Sequence, residues 1–136
     1  TMQTMLPHFG LSVIDGYEGM EGNGPASGTP VSSRLAIAST DFIASDRVAV
    51  ECMGVDPKLV GYLVYGGQMG LGNYDLGKID IRGASIASVQ KKYRLHSEVD
   101  QQLQWTGPLE IEDGSWIGPR AKRRGGDRGG QRPPSK

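Results

Sequence analysis

Cysteine is almost absent from this sequence, since Cys52 is the only one in 136 residues. A single thiol cannot form a disulfide within the chain. It also cannot supply the several thiolates that an iron–sulfur cluster or a structural zinc site requires. The sequence therefore predicts that this chain carries no iron–sulfur cluster, and it favours a reducing compartment.

Long apolar runs are also missing. No stretch approaches the ~18 consecutive apolar residues of a membrane helix. The first residues lack the charged segment and the apolar segment that together form a signal peptide. These absences predict a cytoplasmic protein without a membrane partner.

The chain has no net charge, but it consists of two parts whose own net charges are opposite in sign. Residues 1–118 contain 8 Lys and Arg against 14 Asp and Glu, whereas residues 119–136 contain seven basic residues and only Asp127. An acidic body does not attract nucleic acid, so only the basic tail could bind it. The tail has two Arg-Gly-Gly units with no aromatic residue between them, which favours a disordered Gly/Arg/Pro tail over a nucleic-acid binder.

Short apolar runs indicate an α/β domain. Leu11–Asp15 and Leu35–Ser39 are typical of buried strands, and Lys78–Arg82 alternates with the period of a third strand. Gln101–Trp105 is either a fourth strand or a docked segment. This order of elements predicts a small, mostly parallel sheet of three to four strands with two or more helices.

Two helices are marked by the signals at their ends. Either Thr40 or Asp41 can cap a helix whose apolar arc includes Phe42, and Gly54 is a suitable stop for it. Asp56-Pro57 is typical of the start of a second helix. Continuous apolar strands require cover on both faces, and two helices cover only one. Residues 1–118 are therefore interpreted as part of a larger domain, completed by an upstream half of the same domain or by a second subunit.

The segment Asp15–Pro30 is predicted to be a long functional loop, because it contains five glycines and two prolines. Its glycines allow several backbone N–H groups to turn toward one anion. Its acidic residues suit Mg²⁺ or Ca²⁺ instead, and a plain solvated acidic loop is the third interpretation. The side chains that could build a site are Asp15, Glu18, Glu21 and Asn23.

Asp46 is predicted to lie within the apolar face of the first helix. At about 100° per residue it falls between Phe42, Ala49, Val50 and Met53. A buried carboxylate must find donors or a cation, because burying it unpaired is costly. The favoured interpretation is that backbone N–H groups of a neighbouring loop bind it, and the alternative is a ligand-binding or catalytic role.

The segments Val13-Ile-Asp-Gly, Gly19-Met-Glu-Gly-Asn-Gly-Pro and Gly28-Thr-Pro resemble a family of uncharacterised bacterial and archaeal proteins. The family is catalogued as domain of unknown function number three hundred and sixty-two. The resemblance continues through the Asp41–Asp46 segment to Trp105, with further matching segments at Met53-Gly54, Gly70-Leu71-Gly72 and Gln102-Leu-Gln-Trp105.

The resemblance carries several implications. Family members are usually longer, and this chain resembles their carboxyl-terminal portion only. Many members carry ferredoxin-like iron–sulfur modules, which implies a redox-linked role and a ferredoxin-like partner. The family's shared pattern includes Asp15, Glu21, Asn23 and Asp46.

Two functions follow from these residues. The first is a docking or structural module of a redox-linked protein, in which the buried Asp46 locks the glycine-rich loop. The second is an enzyme, or an enzyme remnant, whose carboxylates bind a divalent cation or an anionic small molecule. Its candidate metal ligands are Asp15, Glu21 and Asp46. The docking module is favoured because half a domain rarely holds a complete site.

Overall fold

The computed structural model of the chain describes residues 1–105, 110–112 and 115–117. Its α-helices are α1 (Met2–Met5), α2 (Phe42–Cys52), α3 (Gly61–Gln68), α4 (Ile86–Val89) and α5 (Val99–Gln102). None of these helices is long and apolar enough to cross a membrane. The strands are β1 (Ser12–Asn23), β2 (Ser27–Ser39), β3 (Glu110–Glu112) and β4 (Ser115–Ile117). Single 3-10 turns cover Leu6–His8, Pro57–Leu59, Leu76–Lys78 and Leu103–Trp105. The predicted basic tail, residues 119–136, lies outside the described residues.

The strands β1 and β2 form a long antiparallel hairpin, so the prediction of a mostly parallel sheet of three to four strands is wrong. Their register runs from Ser12 opposite Ser39 to Asn23 opposite Ser27. Only Gly24–Ala26 connects the two strands, whereas parallel neighbours need a crossover of about a dozen residues or more. The short strands β3 and β4 also pair antiparallel.

The predicted loop Asp15–Pro30 lies almost wholly within these two strands. A bulge on β2 shifts the register, because Ser33 and Arg34 together face the single residue Tyr17, and Arg34 takes a left-handed φ of 54°. The bulge breaks the alternation of exposed and inward-facing side chains, because Tyr17 and Glu18 are both exposed. A glycine-rich stretch with a broken alternation has the sequence pattern of a loop, which explains the incorrect prediction.

Two further segments differ from the expected strands. Lys78 ends a 3-10 turn, and the rest of Lys78–Arg82 pairs with no other strand of the described residues. Gln101–Trp105 is helical, in α5 and the 3-10 turn that follows it. Five alternating residues are too few to define a strand where no neighbouring strand supplies hydrogen bonds.

The helix α2 is the centre of the packing. It starts at Phe42 after the Asp41 cap, and Gly54 follows it with a φ of 62°, so both end signals of the sequence are confirmed. The elements β1, β2, α3 and α4 all contact it. Ile43 on α2 and Leu63 on α3 are fully buried, and burial of each such side chain stabilises the fold by about 1.5–3 kcal/mol.

Candidate functional site

The five residues predicted to form a site occupy three separate places. Asp15 and Glu18 are exposed on β1. Glu21 and Asn23 lie at the tip of the hairpin, and Asp46 lies on α2. In the part of the chain that the structure describes, no group of three or more His, Cys, Asp or Glu residues is placed to hold a metal ion. The divalent-cation site therefore stays a prediction.

Asp15 supports the backbone of β1 opposite the bulge. The bulge itself lies on β2, where Ser33 and Arg34 together face the single residue Tyr17. The Oδ1 of Asp15 accepts the N–H of Tyr17 at 2.9 Å, so its side chain satisfies a donor at the point where the bulge disrupts the hydrogen-bond ladder. Asp15 thus stabilises the backbone conformation of β1 around Tyr17.

The tip of the hairpin is bound by a segment outside the helices and strands, Lys91–Ser97, which we name the connecting segment. The Glu21 carboxylate accepts the backbone N–H of Arg94 at 2.9 Å and lies 3.8 Å from its guanidinium. The N–H of Gly22 donates to the Arg94 carbonyl at 2.8 Å. Glu21 therefore anchors a distant part of the chain, with a charge-assisted hydrogen bond to the backbone.

Two more residues of the hairpin contact the connecting segment. Asn23 and Ser97 exchange two hydrogen bonds, of 3.0 and 2.9 Å. The ring of Tyr93 lies directly against Gly19, and its hydroxyl forms a 2.6 Å hydrogen bond with Ser33. These partners are 60 to 74 positions apart along the chain, so no local sequence signal could have identified them.

The connecting segment also binds the carboxyl end of α2. The N–H of Lys91 donates to the Cys52 carbonyl at 2.8 Å, and the N–H of Tyr93 donates to the Met53 carbonyl at 2.9 Å. One short segment thus fastens the hairpin to the central helix. The predicted site residues at the tip, Glu21 and Asn23, serve this attachment.

The structure does not place Asp46 as predicted, because its carboxylate is half-buried and faces α3 rather than the hairpin. Its Oδ2 accepts a 2.7 Å hydrogen bond from the hydroxyl of Tyr62. The buried residues of α2 include Ala44, Arg47 and Val48. Neighbours pack on several sides of this helix, so the apolar arc alone does not identify its buried face.

We expect Tyr62 to ionise only at strongly alkaline pH. Burial, and then the hydrogen bond to Asp46, raise the pKa of its hydroxyl above the ordinary value of 10.0. The stability that the protonated hydroxyl contributes is therefore present below about pH 10 and is lost as the pH rises through the higher folded-state pKa. Subtracting the ultraviolet titration of Tyr62→Phe from that of wild type isolates this phenolate. An unchanged pKa of Tyr62 in Asp46→Asn would contradict the pairing.

One face of the hairpin is exposed and largely apolar, and we name it the outer face. It consists of Leu11, Val13, Asp15, Tyr17, Arg34, Ala36 and Ala38. Leu11, Val13 and Tyr17 expose 61%, 67% and 63% of their surface. The opposite face packs against α2, where Ser45 donates a 3.0 Å hydrogen bond to Ser12. The hairpin thus has one packed face and one face that the described residues leave uncovered.

A groove lies beside the edge of β2, between β2, α2 and residues 79–89, and its volume is about 280 Å³. Apolar side chains line much of it, among them Ile37, Val48, Ile81 and Ile86. Apart from the pairing with β1, no backbone hydrogen bond within the described residues reaches Leu35–Ser39. This part of the β2 edge is therefore open.

Cys52 lines the same groove but is buried. Burial raises the pKa of its thiol, and the Glu51 carboxylate raises it further. Because a disulfide reagent reacts with the thiolate, we expect Cys52 in the native protein to react at least about tenfold more slowly than in the unfolded chain. Rates with Ellman's reagent in buffer and in urea measure this ratio. Equal rates would show that the native thiol is accessible.

These features define a small module in which a long antiparallel hairpin is fastened to a central helix and leaves one face open. The model of one family, the domain of unknown function (DUF362), matches residues 2–51. The match spans α1, β1, β2 and most of α2, so the chain is similar to this family over its hairpin and its central helix. It supports the family predicted from the sequence, whereas the correspondence to the carboxyl-terminal portion and the iron–sulfur link stay predictions. No curated protein and no solved structure matches the chain.

Proposed function

We propose that this chain is a docking module that binds a partner protein through the outer face of its hairpin. The observation that carries the proposal is the joint exposure of Leu11, Val13 and Tyr17 on one face. Large apolar side chains that are exposed side by side are typical of interaction sites. Full burial of each such side chain contributes about 1.5–3 kcal/mol, so a partner that covers all three gains several kcal/mol.

The attachment of the hairpin supports this function. An isolated two-stranded hairpin is only marginally stable in water, but here the connecting segment holds it at Gly19, Glu21 and Asn23. A surface that is already ordered loses little conformational entropy when it binds. In this proposal Glu21 and Asn23 support the docking face without touching the partner.

Site-specific photo-crosslinking tests the proposal in cells that express the chain. With p-benzoylphenylalanine in place of Tyr17, we expect one discrete covalent adduct, which mass spectrometry identifies. Val13→Asp should abolish it, because a charge in the centre of the face opposes burial. The purified partner should then bind wild type at least about tenfold more tightly than Val13→Asp.

Gln68 offers a matched control, because it is exposed on α3 and lies outside the outer face. The crosslinker at Gln68 should form no such adduct, and Gln68→Asp should leave the affinity unchanged. The proposal would be contradicted by equal adducts at both positions. Binding that survives Val13→Asp would contradict it as well.

A ferredoxin-like redox protein is one candidate partner, and it rests on the family resemblance alone. Mixing a purified ferredoxin with the chain and measuring heat by titration calorimetry tests it directly. Binding that Val13→Asp abolishes would support this candidate. The absence of heat would remove this candidate without affecting docking to another protein.

The alternative function, a carboxylate site for a divalent cation or an anionic small molecule, has one observation in its favour. Asp15 and Glu18 both expose their carboxylates on the same part of β1, and exposed oxygen ligands suit Mg²⁺. Calorimetric titration of Mg²⁺ into wild type and Asp15→Asn tests it. Saturable heat that disappears in the variant would support the alternative, and its absence from wild type would count against it.

A further inference from the structure

We propose that the partner of the outer face is a second copy of this chain, an inference that rests on the proposed docking function. On the outer face the two strands carry opposite charges. Asp15 is exposed on β1, and Arg34 is exposed on β2. The β1 side of the face thus carries a negative charge and the β2 side a positive one.

The two charges of the face have no ionic partner within the described residues. No ion pair there includes Asp15 or Arg34. Asp15 accepts the N–H of Tyr17, and the Nε of Arg34 donates to the Ser32 hydroxyl at 3.2 Å. These hydrogen bonds orient the two charged groups and leave both charges to be neutralised by a partner.

A twofold axis that runs along the hairpin makes this face complementary to itself. Such an axis lays β1 of one copy on β2 of the other, and the contact occurs twice. The register sets Val13 beside Ala38 and Asp15 beside Ala36. In the dimer Val13 therefore covers Ala38 of the second copy, and Asp15 comes next to Arg34 of the second copy.

The side chains of β2 suit this arrangement because they are small. Ala38 leaves room for the larger Val13 of the other copy, and Ala36 leaves room for its Asp15, when two sheets stack about 10 Å apart. Tyr17 lies at the charged end of the face, so its ring can also receive Arg34 of the second copy in a cation–π contact. Apolar residues meet apolar residues, and acidic residues meet basic ones.

The size of the face predicts a weak, reversible dimer. The outer face spans seven positions, Leu11 to Tyr17, which extend over roughly 24 Å, and two strands are about 10 Å wide, so each copy buries roughly 240 Å². A total of roughly 500 Å² lies below the usual size of stable, specific interfaces, as for weak and transient contacts. We therefore expect dissociation constants of tens of micromolar or weaker, about 10⁻⁵ to 10⁻⁴ M.

Sedimentation velocity of the full chain tests this inference. Across concentrations from about 5 µM to 1 mM we expect a shift from monomer to dimer, in the range where such contacts associate. Arg34→Asp alone and Asp15→Arg alone should each weaken association about tenfold, because each places like charges together. The double variant Asp15→Arg with Arg34→Asp should recover most of the loss, since it restores the opposite charges in exchanged positions.

Two controls keep the result interpretable. Lys58→Asp makes the same change of charge at an exposed position outside the face, and it should leave association unchanged. Arg34→Gln removes the charge without reversing it and should weaken association by a smaller factor. Circular dichroism of every variant tests whether the fold is retained. If a charge reversal unfolds the protein, Arg34→Gln takes its place as the test of the interface.

Two results would overturn the second-copy inference. The first is a monomer at every concentration, and the second is a dimer that resists both charge reversals. Either result leaves the docking function testable on its own. An adduct at position 17 with a different protein would keep the docking module and eliminate the second copy, whereas no adduct and no dimer would remove both.

Discussion

Replacing Asp41 with alanine is expected to lower the free energy of unfolding by about 3 kcal/mol. Its Oδ1 accepts the N–H of Ala44 at 2.9 Å and caps α2, and loss of such a cap costs about 1 kcal/mol. Its Oδ2 accepts the backbone N–H and the side-chain amide of Asn73 at 2.7 and 3.2 Å. Hydrogen bonds to a charged group contribute about 1.5–3 kcal/mol, so one carboxylate joins the start of α2 to the loop after α3.

The packing around Asp41 strengthens this expectation. A Cβ on Gly72 would overlap the carboxylate and would lie 2.7 Å from the Cβ of Ile43. The loop after α3 can therefore reach Asp41 only because residue 72 has no side chain. The glycine cluster Gly70-Leu71-Gly72 thus has a structural explanation, in which Gly70 ends α3 with a φ of 68° and Gly72 admits the carboxylate.

Urea unfolding followed by circular dichroism measures the effect of Asp41→Ala. Asp41→Ser keeps a capping oxygen but cannot reach Asn73, so it should recover about 1 kcal/mol of the loss. Asp80→Ala is the control, because Asp80 is an exposed carboxylate paired with Arg82 and its removal should cost under about 0.5 kcal/mol. If Asp41→Ala lowers the free energy of unfolding no more than the control does, the hydrogen bonds of the Asp41 carboxylate do not stabilise the protein.

Gly19→Ala is expected to destabilise the protein by about 3 kcal/mol, near the upper end for overpacking a buried site. A Cβ at this position would overlap the hydroxyl of Tyr93 and would lie 3.0 Å from two of its ring carbons. Tyr93 is buried and its hydroxyl is bonded to Ser33, so the ring cannot move aside without breaking that bond. Gly19→Ala therefore weakens the contact between Gly19 and Tyr93, which attaches the hairpin to the connecting segment.

The partner of Gly19 supplies a test of this cause. Tyr93→Phe removes the atom closest to the new methyl group, so the double variant Gly19→Ala with Tyr93→Phe should lose less stability than the two single losses added together. Gly10→Ala is the control, because nothing lies within 4 Å of a Cβ at Gly10. If the two single losses in free energy of unfolding, measured in urea, add up to the loss of the double variant, then contact with the Tyr93 hydroxyl is not what makes Gly19→Ala destabilising.

The helices were the most predictable part of the fold. The Asp41 cap and the Gly54 stop bound α2 as expected, because both signals act within one turn of the helix. Asp56-Pro57 does begin helical structure, but as a 3-10 turn that ends at Leu59 before α3 starts at Gly61. The capping chemistry was identified correctly, whereas the type of helix depended on what packs around it.

The hairpin was the least predictable part. Its bulge removes the alternation by which strands are recognised in a sequence, and its glycines suggest a loop. Those glycines serve close approach, since Gly19 admits the ring of Tyr93 and Gly22, with a φ of 74°, sits beside Arg94. Neither partner can be identified from the residues next to Gly19 or Gly22.

The candidate site shows the same division between local and distant information. Glu21 and Asn23 were identified as important polar residues, and the structure gives each a specific partner, in Arg94 and Ser97. The type of role was not predictable, because a carboxylate that binds a backbone N–H and one that binds a cation have the same sequence pattern. Asp46 was expected beside the hairpin and instead meets Tyr62.

The sequence by itself determined the ends of α2, the capping role available to Asp41 and the concentration of polar groups between Asp15 and Asn23. These properties depend on residues within a few positions of one another, where chain connectivity already sets the distances. Only the tertiary structure decided that β1 pairs antiparallel with β2, that the connecting segment fastens the hairpin and that the outer face is left open. Those outcomes depend on contacts between residues far apart in the chain. The distances between such residues are set only when the hairpin and α3 pack against α2.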